Sequence, residues 1–278
     1  MKLTKFSVSA EEHKKRQEAH RRIGAKLKAS YQTMTKEEFE DFDEMCFYSK
    51  YPHNLILQSD PIFETIPFGP VGTVMSSGCV AFVSAYIIEH YIDRRLEMRR
   101  WINTVVEKGY RSWRFEKFPK VSFTSKEVDL DVVKKKLGTI EPKILECEST
   151  EELFYVTGKP EGIGGSMFLI DNVIVQLSKD KVKGDMTSII EKTRISSVKD
   201  IINNLHNGYM VPMRVNNSIY HEDSSRTGGH YVILVGLNNG EACVMDSLIG
   251  FKRLPLRRLI EAALADDGLI ACWDLSCI

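Results

Sequence analysis

The chain has 278 residues, 43% of them hydrophobic, enough for one large domain or two small ones. Lys plus Arg and Asp plus Glu both number 38, so no net charge draws it to nucleic acid or to an anionic membrane surface. Six scattered cysteines without a C-x-x-C pair, and seven histidines without H-E-x-x-H spacing, exclude the usual zinc signatures, so no metal and no cofactor is expected.

The opening residues, MKLTKFSVSAEEHKKRQ, lack the apolar run of a secretory signal, and no stretch approaches the ~18 apolar residues of a membrane span. A cytoplasmic chain with free thiols is expected. Residues 1–50 read as a charged helical extension. Ser9-Ala10-Glu11-Glu12 and Thr35-Lys36-Glu37-Glu38 both have capping-box spacing. The first helix is basic with a thin stripe of Ala19, Ile23 and Leu27; the second is acidic and carries Phe39 and Phe42. Opposite charges on the two helices predict a hairpin whose charges face each other or the body.

Residues 66–78, IPFGPVGTVMSSG, read as loop, and from Cys79 to about Ile92 the chain is apolar nearly all round, the mark of a buried helix. A further helix is predicted through Trp101, Ile102 and Val105. Residues 115–196 read as an insertion of short β-like runs and charged helical pieces, with Asp171-Asn172 as a hairpin turn inside MFLIDNVIVQL. SSVKDIINNLHNG is a helix stopped at Gly208. YMVPMRV is a strand in which Pro212 implies an edge or a bulge. YVILVGL and EACVMDS are strands joined through Asn238-Asn239-Gly240, LPLRRLIEAALADDG is a helix stopped at Gly268, and LIACWDL is a last strand. The fold class that follows is α+β, with the buried helix packed on a mostly antiparallel sheet.

Two segments carry chemistry. Cys79 stands where Gly78 turns into the apolar helix, and helix-start N–H groups favour an anion there. His230 follows Gly228-Gly229 and enters a buried strand, a loop-to-sheet position suited to a base on a rigid frame. With a turn centred on Asn238-Asn239, paired residues sum to about 477, which sets residue 230 opposite roughly residue 247 and brings Asp246 near it. An acid there can accept one ring N–H and fix the tautomer. His90 lies on the helix of Cys79 but roughly 16 Å along it, too far to serve. His221, in the loop HEDSSRTGG, is expected to line or cap a cleft. No G-x-S-x-G or phosphate-loop motif competes.

At these residues the chain resembles the papain-like cysteine peptidases, in the branch similar to the bacterial double-glycine leader (bacteriocin-processing) peptidases, without their transporter. The stretches that carry the resemblance are IPF, SSGCVAF, INNLHNGYMVPMRV, GGHYVILVG and VMDS, within residues 66–109 and 197–265. It implies a papain-like domain over residues 51–278, with Cys79 as nucleophile, His230 as general base and Asp246 as orienter. The family's oxyanion-hole glutamine has no counterpart after IPF, since Gln58 lies before it. That role falls to the Cys79 backbone N–H with a hydroxyl from Thr73, Ser76 or Ser77. Gly78, Gly228 and Gly229 are placed at the substrate cleft. The expected function is hydrolysis of an amide in a peptide or protein substrate. An acyl transferase or deamidase, or a catalytically silent binding protein, remains open on the same residues.

Overall fold

A computed structural model describes residues 10–49, 57–61, 64, 75, 78–92, 122–123, 126–127, 168–177, 184, 186–226, 228–265 and 270–278. The chain forms two compact units, Met1–His13 with Asn54–Asn172, and Lys14–His53 with Val173–Ile278. Both helix and antiparallel sheet are present, so the class is α+β. Among the described residues no helix is long and apolar enough to cross a membrane.

The second unit is built on one antiparallel sheet. Helix α1 (Ala10–Gln32) contributes Ala19, Ile23 and Leu27, all buried, which is the apolar stripe read from the sequence. Helix α2 (Lys36–Asp43) starts on a complete capping box: the Thr35 hydroxyl accepts from the Glu38 N–H at 3.2 Å, and the Glu38 carboxylate accepts from the Thr35 N–H at 3.0 Å. Ser9, expected to open the first capping box, lies outside the described residues. Two charges of these helices pair with the body of the unit, Glu38 with Lys199 and Arg22 with Glu191, and Lys36 pairs with Glu40 within α2. The residues expected to form a separate extension are built into the sheet unit from Lys14 onward. Strand β1 (Cys46–Tyr48) completes this part by pairing with the long central strand.

In the first unit, helix α3 (Cys79–Ile92) is buried on every described face from Val80 to Ile88, as its uninterrupted apolar sequence demands. Its one polar residue in that run, Ser84, returns its hydroxyl to the Val80 carbonyl at 2.7 Å. Strands β2 (Ser122–Phe123) and β3 (Lys126–Glu127) form a minimal antiparallel pair. The helix expected through Trp101, the charged helical pieces of the insertion and the IPF stretch lie outside the described residues. Helix α4 (Phe168–Leu177) corrects the expected hairpin at Asp171-Asn172. Ile170, Val173, Ile174 and Leu177 recur at helical spacing, and that period outweighs a two-residue turn signal.

Helix α5 (Met186–Lys192) precedes α6 (Val198–His206), which is capped by the Ser197 hydroxyl and ends at Gly208 with φ +81°, the predicted stop. Strand β4 (Val211–Asn216) leads into a five-residue helix, α7 (Asn217–His221), whose start is capped by the Asn216 side chain. The meander β5 (Gly229–Asn238), β6 (Glu241–Asp246) and β7 (Gly250–Pro255) follows, and helix α8 (Leu256–Leu264) closes the unit. One flank of β5 carries β6; β4 and β1 pair with successive halves of it. The carbonyl of Pro212 accepts from the Trp273 N–H at 2.9 Å, so its missing donor faces away from β5 and costs no ladder bond there. The segment LIACWDL, expected as a strand, makes only isolated bridges at Cys272 and Trp273.

The β5–β6 turn is Asn239-Gly240, both with positive φ (50° and 75°), a type I′ turn one residue beyond the predicted centre. Its pairs begin at Asn238↔Glu241 and shift register between Leu234 and Gly236, a β-bulge at Val235. The bulged carbonyl is used: Val235 accepts from both the N–H and the hydroxyl of Ser49, each at 2.8 Å. The core lies between this sheet and its helices. Val232, Leu234 and Val244 meet Ile201 and Leu205 of α6, Leu259 and Ile260 of α8, and Leu27 and Phe42. Each such side chain contributes roughly 1.5–3 kcal/mol by leaving water.

Candidate active site

His230 is the second residue of β5 and Asp246 the last of β6, both buried. Nε2 of the imidazole lies 2.9 Å from Oδ1 of the carboxylate. The same Oδ1 accepts from the Leu248 N–H at 2.7 Å, so the turn after β6 fixes the acid as firmly as the strand does. Burial alone would raise the Asp246 pKa, but the His230 hydrogen bond and charge, with the Leu248 N–H, hold it below the ordinary carboxylate value. Asp246 is therefore the acceptor and His230 Nε2–H the donor. A neutral ring that donates through Nε2 carries its lone pair on Nδ1, the nitrogen able to act as a base.

Two residues on α7 complete the surroundings. Tyr220 is fully buried, with its ring 6.1 Å from that of His230 and 4.8 Å from that of His221. The His221 ring lies 5.9 Å from His230. Burial first, and then the nearby Asp246 carboxylate, hold the Tyr220 phenol far above its ordinary pKa, so it stays protonated. Burial also pushes the His221 pKa down to about 4, aided by Arg226, so this ring is neutral at pH 7. The helix is clamped at its carbonyl end. Lys252 donates to the Tyr220 carbonyl at 2.6 Å and lies 4.3 Å over the Tyr220 ring, while Arg258 donates twice to the Ile219 carbonyl at 3.2 Å and pairs with Glu222. Cations at the C-terminal end of a helix match its dipole. Sequence reading placed His221 near a cleft but did not single out Tyr220, Lys252 or Arg258. The available signal was Asn216, a capping residue straight after a strand.

Cys79 belongs to the other unit. It is the first residue of α3, half-buried and a free thiol. The Gly78 carbonyl accepts from the Ala81 and Phe82 N–H groups at 2.8 and 3.2 Å, which starts the helix and leaves Cys79 in its first turn. Gln58, in the same unit, is buried and donates to the Met75 carbonyl at 2.8 Å. Thr73, Ser76 and Ser77 lie outside the described residues. Gly228 is exposed with φ +80°, a conformation suited to glycine. A Cβ on Gly229 would lie 2.5 Å from the Arg214 guanidinium, the end of a flexible side chain that would have to swing aside. Of the remaining histidines, His206 packs on Phe47 with ring centroids 4.9 Å apart.

No protein-family model matches the chain, and neither a curated protein nor a solved structure is detectably similar to it.

Proposed function

We propose that the chain is a thiol hydrolase of papain-like fold, a cysteine peptidase that cleaves an amide bond. The observation that carries this reading is the buried His230–Asp246 couple, 2.9 Å apart, in which the carboxyl is held below its ordinary pKa. A first-turn cysteine on a buried helix supplies the matching nucleophile. In this reaction the Cys79 sulfur attacks the amide carbonyl and its proton passes to His230 Nδ1. That proton then leaves with the amine, and water hydrolyses the thioester. Asp246 holds the imidazole in the productive tautomer and stabilises its charged form.

The test is the pH dependence of Cys79 alkylation, followed by peptide mass spectrometry in the wild type, His230→Ala and Asp246→Asn. Fast labelling of Cys79 below pH 7, lost in His230→Ala and slowed about tenfold in Asp246→Asn, is expected; tenfold corresponds to about 1.4 kcal/mol. Slow labelling in all three, no faster than at the other cysteines, would make Cys79 a core residue and remove the reading.

A further inference from the structure

We infer that His221, His230 and Asp246 form a binding site for a divalent transition ion, zinc by its donor chemistry, and that occupancy switches off the base proposed above. One donor atom from each residue lies within 4.8 Å of the other two. Two imidazoles and a carboxylate are the donor set of three-ligand zinc sites that leave a fourth position to solvent.

A second observation points the same way. Asp246 is fully buried, and neither its Oδ2 nor the buried Nε2 of His221 makes a hydrogen bond of good geometry; the Tyr220 hydroxyl, itself buried, is the polar neighbour of that carboxylate. Buried polar atoms ordinarily have partners, because leaving one bare costs on the order of 1–3 kcal/mol. Two of these atoms belong to the triad, and the Tyr220 hydroxyl beside them is a third without a well-formed hydrogen bond. Ligands spanning a tetrahedral zinc are roughly 3.4 Å apart for bonds of about 2.1 Å. The His230–Asp246 distance of 2.9 Å is about 0.5 Å short of that, so this pair must open slightly, while His221, with all three donors within 4.8 Å, turns toward them. His221 is half-buried at the end of a five-residue helix and is followed by Glu222 with φ +58°, a short element able to turn one ring inward. The Asp246 charge holds the cation against the neighbouring Lys252 ammonium.

The consequence for catalysis rests on the proposed function. To bind a metal through Nε2, neutral His230 must carry its proton on Nδ1 instead. The proton moves from Nε2 to Nδ1 by exchange with water, and no charge is gained or lost on the ring. Nδ1 then donates rather than accepts, and cannot take a proton from a thiol. Zinc would thus inhibit by inverting the tautomer that Asp246 otherwise enforces.

Cobalt(II) absorption and zinc calorimetry on the full chain test this, in the wild type, Cys79→Ala and His221→Phe. The last change removes a donor nitrogen and keeps an aromatic ring beside Tyr220; its melting temperature and circular dichroism establish that it folds. Expected is one ion per chain in the wild type and in Cys79→Ala, without a thiolate-to-cobalt charge-transfer band. His221→Phe should weaken binding by more than the roughly 10–100-fold that loss of an outer-shell partner costs. No stoichiometric binding at micromolar zinc, a thiolate spectrum, or equal affinity in His221→Phe would overturn the site. Because Cys79→Ala has no thiol chemistry at that position, the site stands or falls apart from the hydrolase reading. If Cys79 alkylation proves fast, micromolar zinc must slow it in the wild type, and an unchanged rate would overturn the inhibitory role.

Discussion

His230 and Asp246 are placed by a ladder of backbone hydrogen bonds, whereas Cys79 is placed by the first turn of a helix. The ladder depends on distant chain: Gly236 must admit Tyr48 and the Phe47 carbonyl, and Gly240 must admit Asp43. The helix start depends on its neighbour, since the Gly78 carbonyl takes the N–H groups of Ala81 and Phe82. Position in the hairpin is therefore a tertiary property, and position on α3 is a local one. The cost of error differs accordingly. A hairpin moves as a register, while a helix loses only the contacts of the residue that is changed.

Four substitutions or conditions sharpen or break that contrast. Phe82 is fully buried on α3, and Phe82→Ala should cost about 3–5 kcal/mol in denaturant unfolding. A value below 1 kcal/mol would mean the helix does not depend on its packing. Gly236→Ala sets a Cβ 2.6 Å from the Tyr48 ring and 2.8 Å from the Phe47 carbonyl, and should cost about 1–3 kcal/mol while detaching β1. Amide exchange at Cys46–Tyr48 should accelerate in that variant, and unchanged protection would show that the ladder tolerates local repacking.

The third concerns pH. His221 binds fewer protons folded than unfolded between its ordinary 6.5 and about 4, because burial depresses it. Stability should thus fall as pH drops through that window, in chelator-containing buffer, and His221→Phe should flatten the slope. A wild-type melting temperature constant from pH 7 to 5 would contradict this. The smallest effect belongs to Ser84→Ala, expected within about 0.5 kcal/mol because the Val80 carbonyl keeps its helical position when the hydroxyl goes.

Much of the second unit was legible in the sequence. The stop at Gly208, the cap at Thr35, the edge character of Pro212 and the two strands around Asn239-Gly240 all follow from local chemistry. Counting residues back from the turn set His230 and Asp246 at the same end of the hairpin, but the shared face depends on the bulge, which the sequence does not announce. What escaped was set by competition between signals or by distant partners. Asp171-Asn172 reads as a turn until the apolar period around it is given its weight. Strand β7 hides in GFKRLP, a glycine-led run with two cations, because it is held by pairing with β6 rather than by propensity. Cys272 and Trp273 form bridges rather than a strand, since their partners at Arg194 and Met213 are single residues. The α7 clamp joins Lys252 and Arg258 to carbonyls more than thirty residues earlier, which no local pattern announces.

The bulge at Val235 sets the parity of the whole site. From the turn, paired positions sum to 479 (Asn238↔Glu241) and beyond the bulge to 478 (Leu234↔Val244). In an unbulged ladder Asp246 would stand opposite Ile233 and share the face of odd-numbered β5 residues, away from His230. With the extra residue, even-numbered positions before it and odd-numbered ones after it face the same core, as Val232, Leu234 and Leu237 do. One inserted residue thus acts as a half-period phase shift, and the meeting of acid and imidazole is its arithmetic result.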